Sequence, residues 1–78
     1  MNFRMNDLEN FIATAHCRTL SESATRLEIT QPALSESIKR LESDLSEILF
    51  FRSRAGIALT PSGRNVLELA QSAVSRLM

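Results

Sequence analysis

The fold of this 78-residue chain is decided by one stretch, TQPALSESIKRLE at residues 30–42. Thr30 can cap a helix whose first turn contains Pro32, where the missing N–H of proline costs nothing. Four apolar side chains of this helix lie within about 40° of one another when each residue advances about 100°. They are Leu34, Ile38, Leu41 and Leu45. The sequence therefore predicts a helix that buries one stripe.

The opposite face of this helix is polar. It carries Pro32, Glu36, Lys39, Arg40 and Ser43, with Gln31 and Ser35 toward one side. A polar face of this length must meet either solvent or a partner.

Two shorter helices are predicted before this one. Apolar residues at Leu8, Phe11, Ile12 and Ala15 have helical spacing, and Asn6 is the predicted N-cap. A second helix carries Leu20, Ala24 and Leu27. It can begin at Thr19, which forms a capping box with Glu22, or at Ser21, and the sequence leaves both starts open.

A small hairpin and a long helix are predicted after residue 47. The β-prone run Ile48–Phe51 can pair with Ile57–Leu59 across a loop in which Gly56 adopts positive φ. Thr60 and Pro61 then start a helix that runs to the end of the sequence. This helix carries an apolar seam at heptad-like spacing, which predicts a dimerisation surface. The seam consists of Leu67, Ala70, Val74 and Leu77.

Composition limits the possible function classes. One small domain leaves little room for a large catalytic cleft. Nine basic and nine acidic residues cancel, which argues mildly against nucleic-acid binding, yet the three charged residues between 48 and 66 are all arginine. No apolar run could span a bilayer, so we expect a cytoplasmic protein that does not contact membranes.

Enzymatic motifs do not stand out in the sequence. The single cysteine, Cys17, lacks the spacing of a disulfide framework or a zinc site, and we expect it to be a buried, reduced thiol. Its neighbour His16 is adjacent in sequence rather than facing it. No serine lies in a G-x-S-x-G or S-x-x-K arrangement. We therefore expect neither catalysis nor a bound cofactor or metal.

Three short helices followed by a basic hairpin and a long helix are the parts of a winged helix-turn-helix. An α-helix fits the major groove of B-DNA, which is why this motif presents a polar helix face to base edges. We predict a mainly α fold with a three-helix core, a two-stranded β wing and a long C-terminal linker or dimerisation helix.

Several motifs together resemble the N-terminal domain of LysR-type transcriptional regulators. The resemblance covers nearly the whole chain from Met5 onward. Its motifs are Leu8-x-x-Phe11, Ala24-x-x-Leu27, Thr30-Gln31-Pro32-Ala33-Leu34-Ser35, Ile38-x-x-Leu41-Glu42, Leu49-Phe50-x-Arg52 and Leu59-Thr60-Pro61-x-Gly63. Each motif alone is weak, but their order and separation are specific.

The resemblance implies a plan for the whole protein. Residues 1–59 would form the DNA-binding domain and residues 60–78 the linker helix, with an effector-binding domain beyond. We therefore expect this sequence to be a fragment, and any small-molecule effector to act through a domain it lacks. The implied assembly is a homodimer on double-stranded DNA, with a tetramer as a further option for a full-length protein.

The same resemblance assigns candidate DNA contacts. It implies that Arg52 and Arg54 of the wing reach the DNA backbone or minor groove. The recognition-helix contacts to bases and phosphates would be Thr30, Gln31, Pro32, Ala33 and Ser35, with backbone contacts from Lys39 and Arg40. Arginine favours narrow minor grooves, and helix N-termini hold phosphates, so the chemistry of these residues agrees.

Two departures from the family pattern bear on function and stability. Glu36 stands in the recognition face where a basic or neutral polar residue is common. A carboxylate there can accept a hydrogen bond from cytosine N4 but repels phosphates, which predicts an altered base preference and weaker nonspecific binding. Ser46 stands where glycine commonly ends the helix, and it would be strained if that position requires positive φ.

The favoured function is a sequence-specific DNA-binding module that pairs two copies on half-sites related by a two-fold axis. The alternative is a winged helix that has lost DNA affinity and binds another protein. Neutral net charge and Glu36 favour that alternative. A DNA-binding module should lose affinity for DNA steeply as salt rises and should bind more weakly after Arg52→Ala. A protein-interaction module should show neither effect.

Overall fold

A computed structural model describes the backbone of residues 2–77 and the side chains of residues 2–73. The predicted order of three helices, a hairpin and a long helix is confirmed. The elements are α1 (Met5–Ala15), α2 (Leu20–Leu27), α3 (Gln31–Leu45), β1 (Phe50–Ser53), β2 (Gly56–Leu59) and α4 (Pro61–Leu77).

The core lies where α1, α2 and α3 meet the first residues of the hairpin. The predicted stripe of α3 is confirmed: Leu34, Ile38 and Leu41 are fully buried, and Leu45 packs partly buried at its edge. The buried apolar residues are Phe11, Ala24, Leu34, Ile38, Leu41, Leu49 and Phe50. The Phe11 and Phe50 rings stack at a tilt with centroids 5.4 Å apart, which joins α1 to β1.

Side-chain caps fix the starts of α2 and α3. Thr19 is the N-cap of α2, since its Oγ1 accepts from the Glu22 N–H at 3.0 Å. The Glu22 carboxylate in turn accepts from the Arg18 N–H at 2.9 Å, a reciprocal contact like that of a capping box. Of the two starts that the sequence left open, the structure therefore has the one at Thr19. Thr30 caps α3 as predicted, accepting from the Ala33 N–H at 3.2 Å.

The predicted cap of α1 is wrong. The helix begins at Met5, and Arg4 occupies the N-cap position without a side-chain cap. The N–H groups of Asp7 and Leu8 bond instead to the Arg4 carbonyl, at 3.1 and 3.2 Å. The carboxylate of Asp7 points into the protein and meets partners from α3, and this tertiary contact outweighs the local preference of Asn6 for a cap.

The hairpin begins later and turns more tightly than predicted. β1 starts at Phe50, so Ile48 and Leu49 precede the strand. Ser53 pairs with Gly56, which leaves a two-residue loop in place of a five-residue one. Gly56 has the predicted positive φ, at 130°.

Two glycines allow close backbone approaches that fasten the hairpin. A Cβ at Gly56 would collide with the Arg18 carbonyl, which accepts the Ile57 N–H at 2.9 Å. A Cβ at Gly63 would collide with the Leu49 carbonyl. The hairpin is therefore tied at one end to the α1–α2 connection and at the other to the first turn of α4.

The remaining local expectations concern Ser46 and Cys17. Ser46 ends α3 with φ 56°, so the condition under which serine would be strained at this position is met. Cys17 is a free thiol but only half-buried, and its Sγ lies 3.6 Å from the Ala13 carbonyl oxygen. Within the described part of the chain, no helix is long and apolar enough to cross a membrane.

Candidate nucleic-acid interface

The outer face of α3 is polar and open, as predicted. Pro32, Glu36 and Lys39 are exposed, while Ser35 and Arg40 are half-buried. These five residues line one shallow depression along the helix. We call this depression and its rim the recognition face.

The N-terminus of α3 brings the other predicted contacts beside the wing. Gln31, Arg52 and Arg54 line a second depression, which also includes part of the α2 start. Thr30 and Ala33 are exposed at the first turn. The predicted base and backbone contacts therefore lie side by side on one side of the molecule.

A direct hydrogen bond joins the wing to α3. Arg52 Nη1 donates to Ser35 Oγ at 2.8 Å, and both groups lie toward solvent. Because β1 alternates in direction, Phe50 and Arg52 share one side of the hairpin while Phe51 points away and is 61% exposed. The bond holds the Arg52 guanidinium against the recognition face.

Arg40 differs from the other predicted contacts because an internal carboxylate holds it. Its Nε and Nη2 donate to the two carboxylate oxygens of Asp7, each at 2.8 Å. Asp7 is fully buried, whereas the Arg40 side chain is 36% exposed. The bidentate geometry matches the planar guanidinium to the planar carboxylate and fixes the arginine in one orientation.

A chain of buried hydrogen bonds extends from this pair between α1 and α2. Ser37 Oγ donates to Asp7 Oδ1 at 2.6 Å and accepts from Asn10 Nδ2 at 3.0 Å. Thr14 Oγ1 follows at 2.7 Å from both the Asn10 carbonyl oxygen and Ser23 Oγ. Every buried side-chain polar atom among the described residues has a partner, so this polar layer is fully satisfied.

The contact between Asp7 and Arg40 shifts the pKa of each group in the direction that favours its charged form. The hydrogen bond from Arg40 lowers the pKa of Asp7, and this outweighs the opposite effect of burial. The same bond raises the pKa of Arg40. Both groups are therefore ionised at neutral pH.

Sequence reasoning missed this polar layer. Asp7, Asn10 and Thr14 recur at spacings of three and four, so α1 carries a polar stripe beside its apolar one. A second stripe at helical spacing is the signal that could have revealed a buried network. Its partner on α3 lies 33 residues away from Asp7, and periodicity within one helix does not indicate such a pairing.

The predicted dimerisation seam divides between two environments. Leu67 packs partly buried against the core of its own domain, and Ala70 lines an apolar groove between α4 and the ends of α1 and α3. Val74 and Leu77 lie outside the described side chains. Leu69, which the seam did not include, lines the same groove and is 72% exposed.

His16, which precedes Cys17 at the end of α1, contacts a side chain of α4. His16 Nε2 lies 3.1 Å from Gln71 Nε2, a hydrogen bond that links the end of α1 to α4. Among residues whose placement is described, no group of three potential metal ligands comes together. The contact of His16 is therefore a structural one between two helices.

Comparison with known proteins identifies the family of the chain. Residues 5–64 match the bacterial regulatory helix-turn-helix proteins of the lysR family. The chain belongs to the LysR family. The HTH-type transcriptional regulator TfdS of Cupriavidus pinatubonensis is 39% identical over 97% of this chain. The aligned part is 28% of TfdS, so this LysR-family chain spans little more than a quarter of that relative.

Solved structures of LysR-family DNA-binding domains have the same fold. The DNA-binding domain of CbnR, solved in complex with DNA, superposes with a TM-score of 0.88 at 33% identity. That match covers 96% of this chain and 86% of the CbnR domain. The BenM domain bound to benA site 1 DNA gives 0.86 at 28% identity, covering 96% and 87%. The predicted winged helix-turn-helix is confirmed, and residues 5–64 are a helix-turn-helix domain of the LysR family.

Proposed function

We propose that this chain binds specific double-stranded DNA sequences as a homodimer and regulates transcription in the bacterial cytoplasm. The observation that carries the proposal is the Arg52–Ser35 bond, which unites wing and recognition face into one surface. On this surface α3 enters the major groove, and the wing arginines lie over the adjacent backbone or minor groove. The chain performs no catalysis in this proposal.

The electrostatics of the surface support DNA as the partner despite zero net charge. Lys39, Arg52 and Arg54 are exposed on it, and none of them forms an ion pair among the described side chains. Basic side chains without an internal ion pair can neutralise DNA phosphates and release their counterions, and this release supplies most of the nonspecific affinity for DNA. The distribution of charge therefore favours a DNA partner more than the total does.

The groove along α4 supports pairing of two copies. It is lined mainly by apolar side chains from three helices, and Leu69 projects from it into solvent. A second copy that covers this surface would present two recognition helices related by a two-fold axis. A boundary between residues 59 and 60 would then separate the DNA-binding domain from the linker helix.

The partial coverage of relatives bears on the rest of the protein. LysR-family relatives such as TfdS are several times longer than the matched region. We propose that an effector-binding domain accompanies this module in the full-length protein and that a small-molecule effector acts there. We also propose a tetramer of two such dimers as a further assembly of the full-length protein.

Fluorescence anisotropy over a salt series tests the DNA proposal directly. The chain should bind a mixed-sequence duplex with affinity that falls steeply as salt rises. Arg52→Ala should weaken binding and reduce the log–log salt slope by about 1. Arg64→Ala is the matched control, because Arg64 is exposed on α4 and lines neither depression.

One observation favours a second candidate, a protein-interaction module. Glu36 lies on the recognition face, and the whole chain has no net positive charge. If the wild-type chain fails to bind any duplex at low salt while remaining folded, this second candidate replaces the first.

A further inference from the structure

Glu36 is an unpaired acid on a surface whose other exposed charges are basic. It lies one turn into α3, is exposed, and lines the recognition face beside Pro32, Ser35 and Lys39. Among the side chains of residues 2–73, no cationic nitrogen lies within salt-bridge distance of its carboxylate. Its two oxygens are therefore available to a partner from outside.

A basic residue on the same helix has the right spacing to neutralise Glu36, but in the fold it is bonded to another carboxylate. Residues four apart face each other on a helix, and glutamate followed by a basic residue at that spacing commonly forms an ion pair. Arg40 is four residues after Glu36. Its Nε and Nη2 are instead committed to Asp7, with both distances 2.8 Å. The fully buried carboxylate of Asp7 thus holds the guanidinium, which still lines the recognition face, in a pair of its own and out of salt-bridge distance of Glu36.

We propose that Glu36 reads a cytosine in the major groove and that Asp7 is a positioning residue that keeps Arg40 from neutralising it. The inference deepens the proposed DNA-binding function and rests on it. It assigns a base to one position of each half-site and a role to a residue that cannot touch DNA.

The chemistry of the base edges selects cytosine. An ionised carboxylate only accepts hydrogen bonds, and cytosine presents its N4 amino group as a donor in the major groove. Guanine and thymine present acceptors there, which repel a carboxylate. Adenine presents a donor at N6 next to an acceptor at N7, so one oxygen of the carboxylate would face a lone pair.

Selection from a randomised duplex library tests the base assignment. The wild-type chain should enrich one cytosine position in each half-site by about tenfold over the other bases. Glu36→Gln should convert that position to adenine, because an amide can pair with both N6 and N7. An unchanged base preference in Glu36→Gln overturns the assignment, as does a wild-type preference for adenine at that position.

Asp7→Asn tests the positioning role. The substitution keeps the size of the side chain but removes the charge that holds Arg40, so Arg40 becomes free to pair with Glu36. The cytosine preference should fall several-fold, and Asp7→Asn should have no further effect on base preference in a Glu36→Gln background. Equal effects of Asp7→Asn in both backgrounds would show that Asp7 acts only through stability.

A spectroscopic measurement on the wild-type chain keeps the positioning role testable if Asp7→Asn does not fold. The Nε proton of Arg40 should exchange slowly with water and give a resolved ¹⁵N-correlated resonance, unlike the exposed Arg54. Rapid exchange of the Arg40 Nε proton at neutral pH overturns the positioning role.

Failure of this inference is distinguishable from failure of the proposed function. If the chain binds DNA with a steep salt dependence but shows no base preference at the Glu36 position, only the cytosine assignment is lost. If the folded chain binds no duplex at low salt, the proposed function itself is lost.

Discussion

The two faces of α3 differ in how far their side chains are buried or hydrogen-bonded within the protein. On the inner face, Leu34 and Ile38 are fully buried, and Ser37 hydrogen-bonds to both Asp7 and Asn10. On the outer face, Lys39 is exposed and forms no bond with another described side chain. The inner face therefore fixes the position of the helix, and the outer face is left open to a partner.

The comparison also explains why the inner face is partly polar. A wholly apolar interface would hold α3 by nondirectional packing, whereas hydrogen bonds specify one rotation and one height along the axis. The Asp7–Arg40 pair adds a bidentate contact at the border between the faces. The inner face therefore determines where each outer side chain lies.

The largest expected effect is on the apolar inner face. Ile38→Ala removes a fully buried side chain and should lower the free energy of unfolding by about 2–5 kcal/mol, because a cavity remains among well-packed neighbours. Urea unfolding followed by circular dichroism measures the change. Lys39→Ala is the adjacent control on the outer face and should change stability by less than about 0.5 kcal/mol. Equal losses in both variants would contradict the division of the helix into two faces.

The polar part of the inner face should give an intermediate, pH-dependent effect. Asp7→Asn removes the charged acceptor of the buried Ser37 hydroxyl and should cost about 1–3 kcal/mol at pH 7. The pKa of Asp7 is lowered on folding, so its contribution is full above the ordinary value of 3.8 and is lost as pH falls through the lower, folded-state pKa.

Comparing wild type with Asp7→Asn across pH isolates this contribution. The two proteins differ only at position 7, so the difference in unfolding free energy reports mainly on Asp7. This difference should be constant from pH 7 to about 5 and should shrink below about pH 4. A difference that stays constant down to pH 2 would show that the charge of Asp7 contributes nothing to stability.

A smaller effect of opposite sign is expected where α3 ends. Ser46→Gly should raise stability by up to about 1 kcal/mol, because serine is strained at φ 56° and glycine is not. Thermal unfolding at fixed pH measures the gain. Ser43→Gly, on the exposed outer side of the same helix, should instead cost about 0.5–1 kcal/mol. A loss of stability in Ser46→Gly would contradict the strain at the end of the helix.

The smallest expected effect concerns the outer face and its wing contact. Ser35→Ala removes the hydroxyl that holds Arg52 and should leave stability within about 0.5 kcal/mol of wild type. Nonspecific DNA affinity should fall by about twofold, since the guanidinium keeps its charge but loses its fixed position. Anisotropy at one low salt concentration measures the change, with Ser43→Ala as the control. A loss as large as that of Arg52→Ala would mean that Ser35 itself contacts DNA strongly.

Local patterns predicted most of the fold. The apolar stripe of α3 and the cap at Thr30 each depend on residue spacing within one helix, and the structure confirms them. The start of α1 was predicted wrongly for a physical reason: Asp7 is drawn inward by partners on α3, and no local rule contains that information.

The candidate interface was predicted less completely than the fold. The sequence indicated the types of residue at the interface, but the Arg52–Ser35 contact depends on the register of the hairpin and on its attachment at Gly56. Arg40 could not be distinguished from Lys39 by sequence spacing, although one is held by a buried carboxylate and the other is free. Which residues contact DNA stays a prediction.

The Asp7–Arg40 bond also limits how specificity can be engineered in this chain. Exchanging residues 31–40 for those of a relative would transfer new base contacts, but an uncharged or acidic residue at position 40 would leave the buried Asp7 carboxylate without its cation. The transferable unit is therefore α3 together with position 7, thirty-three residues earlier in the chain. A hybrid regulator designed with both changes should keep its fold while acquiring a different operator.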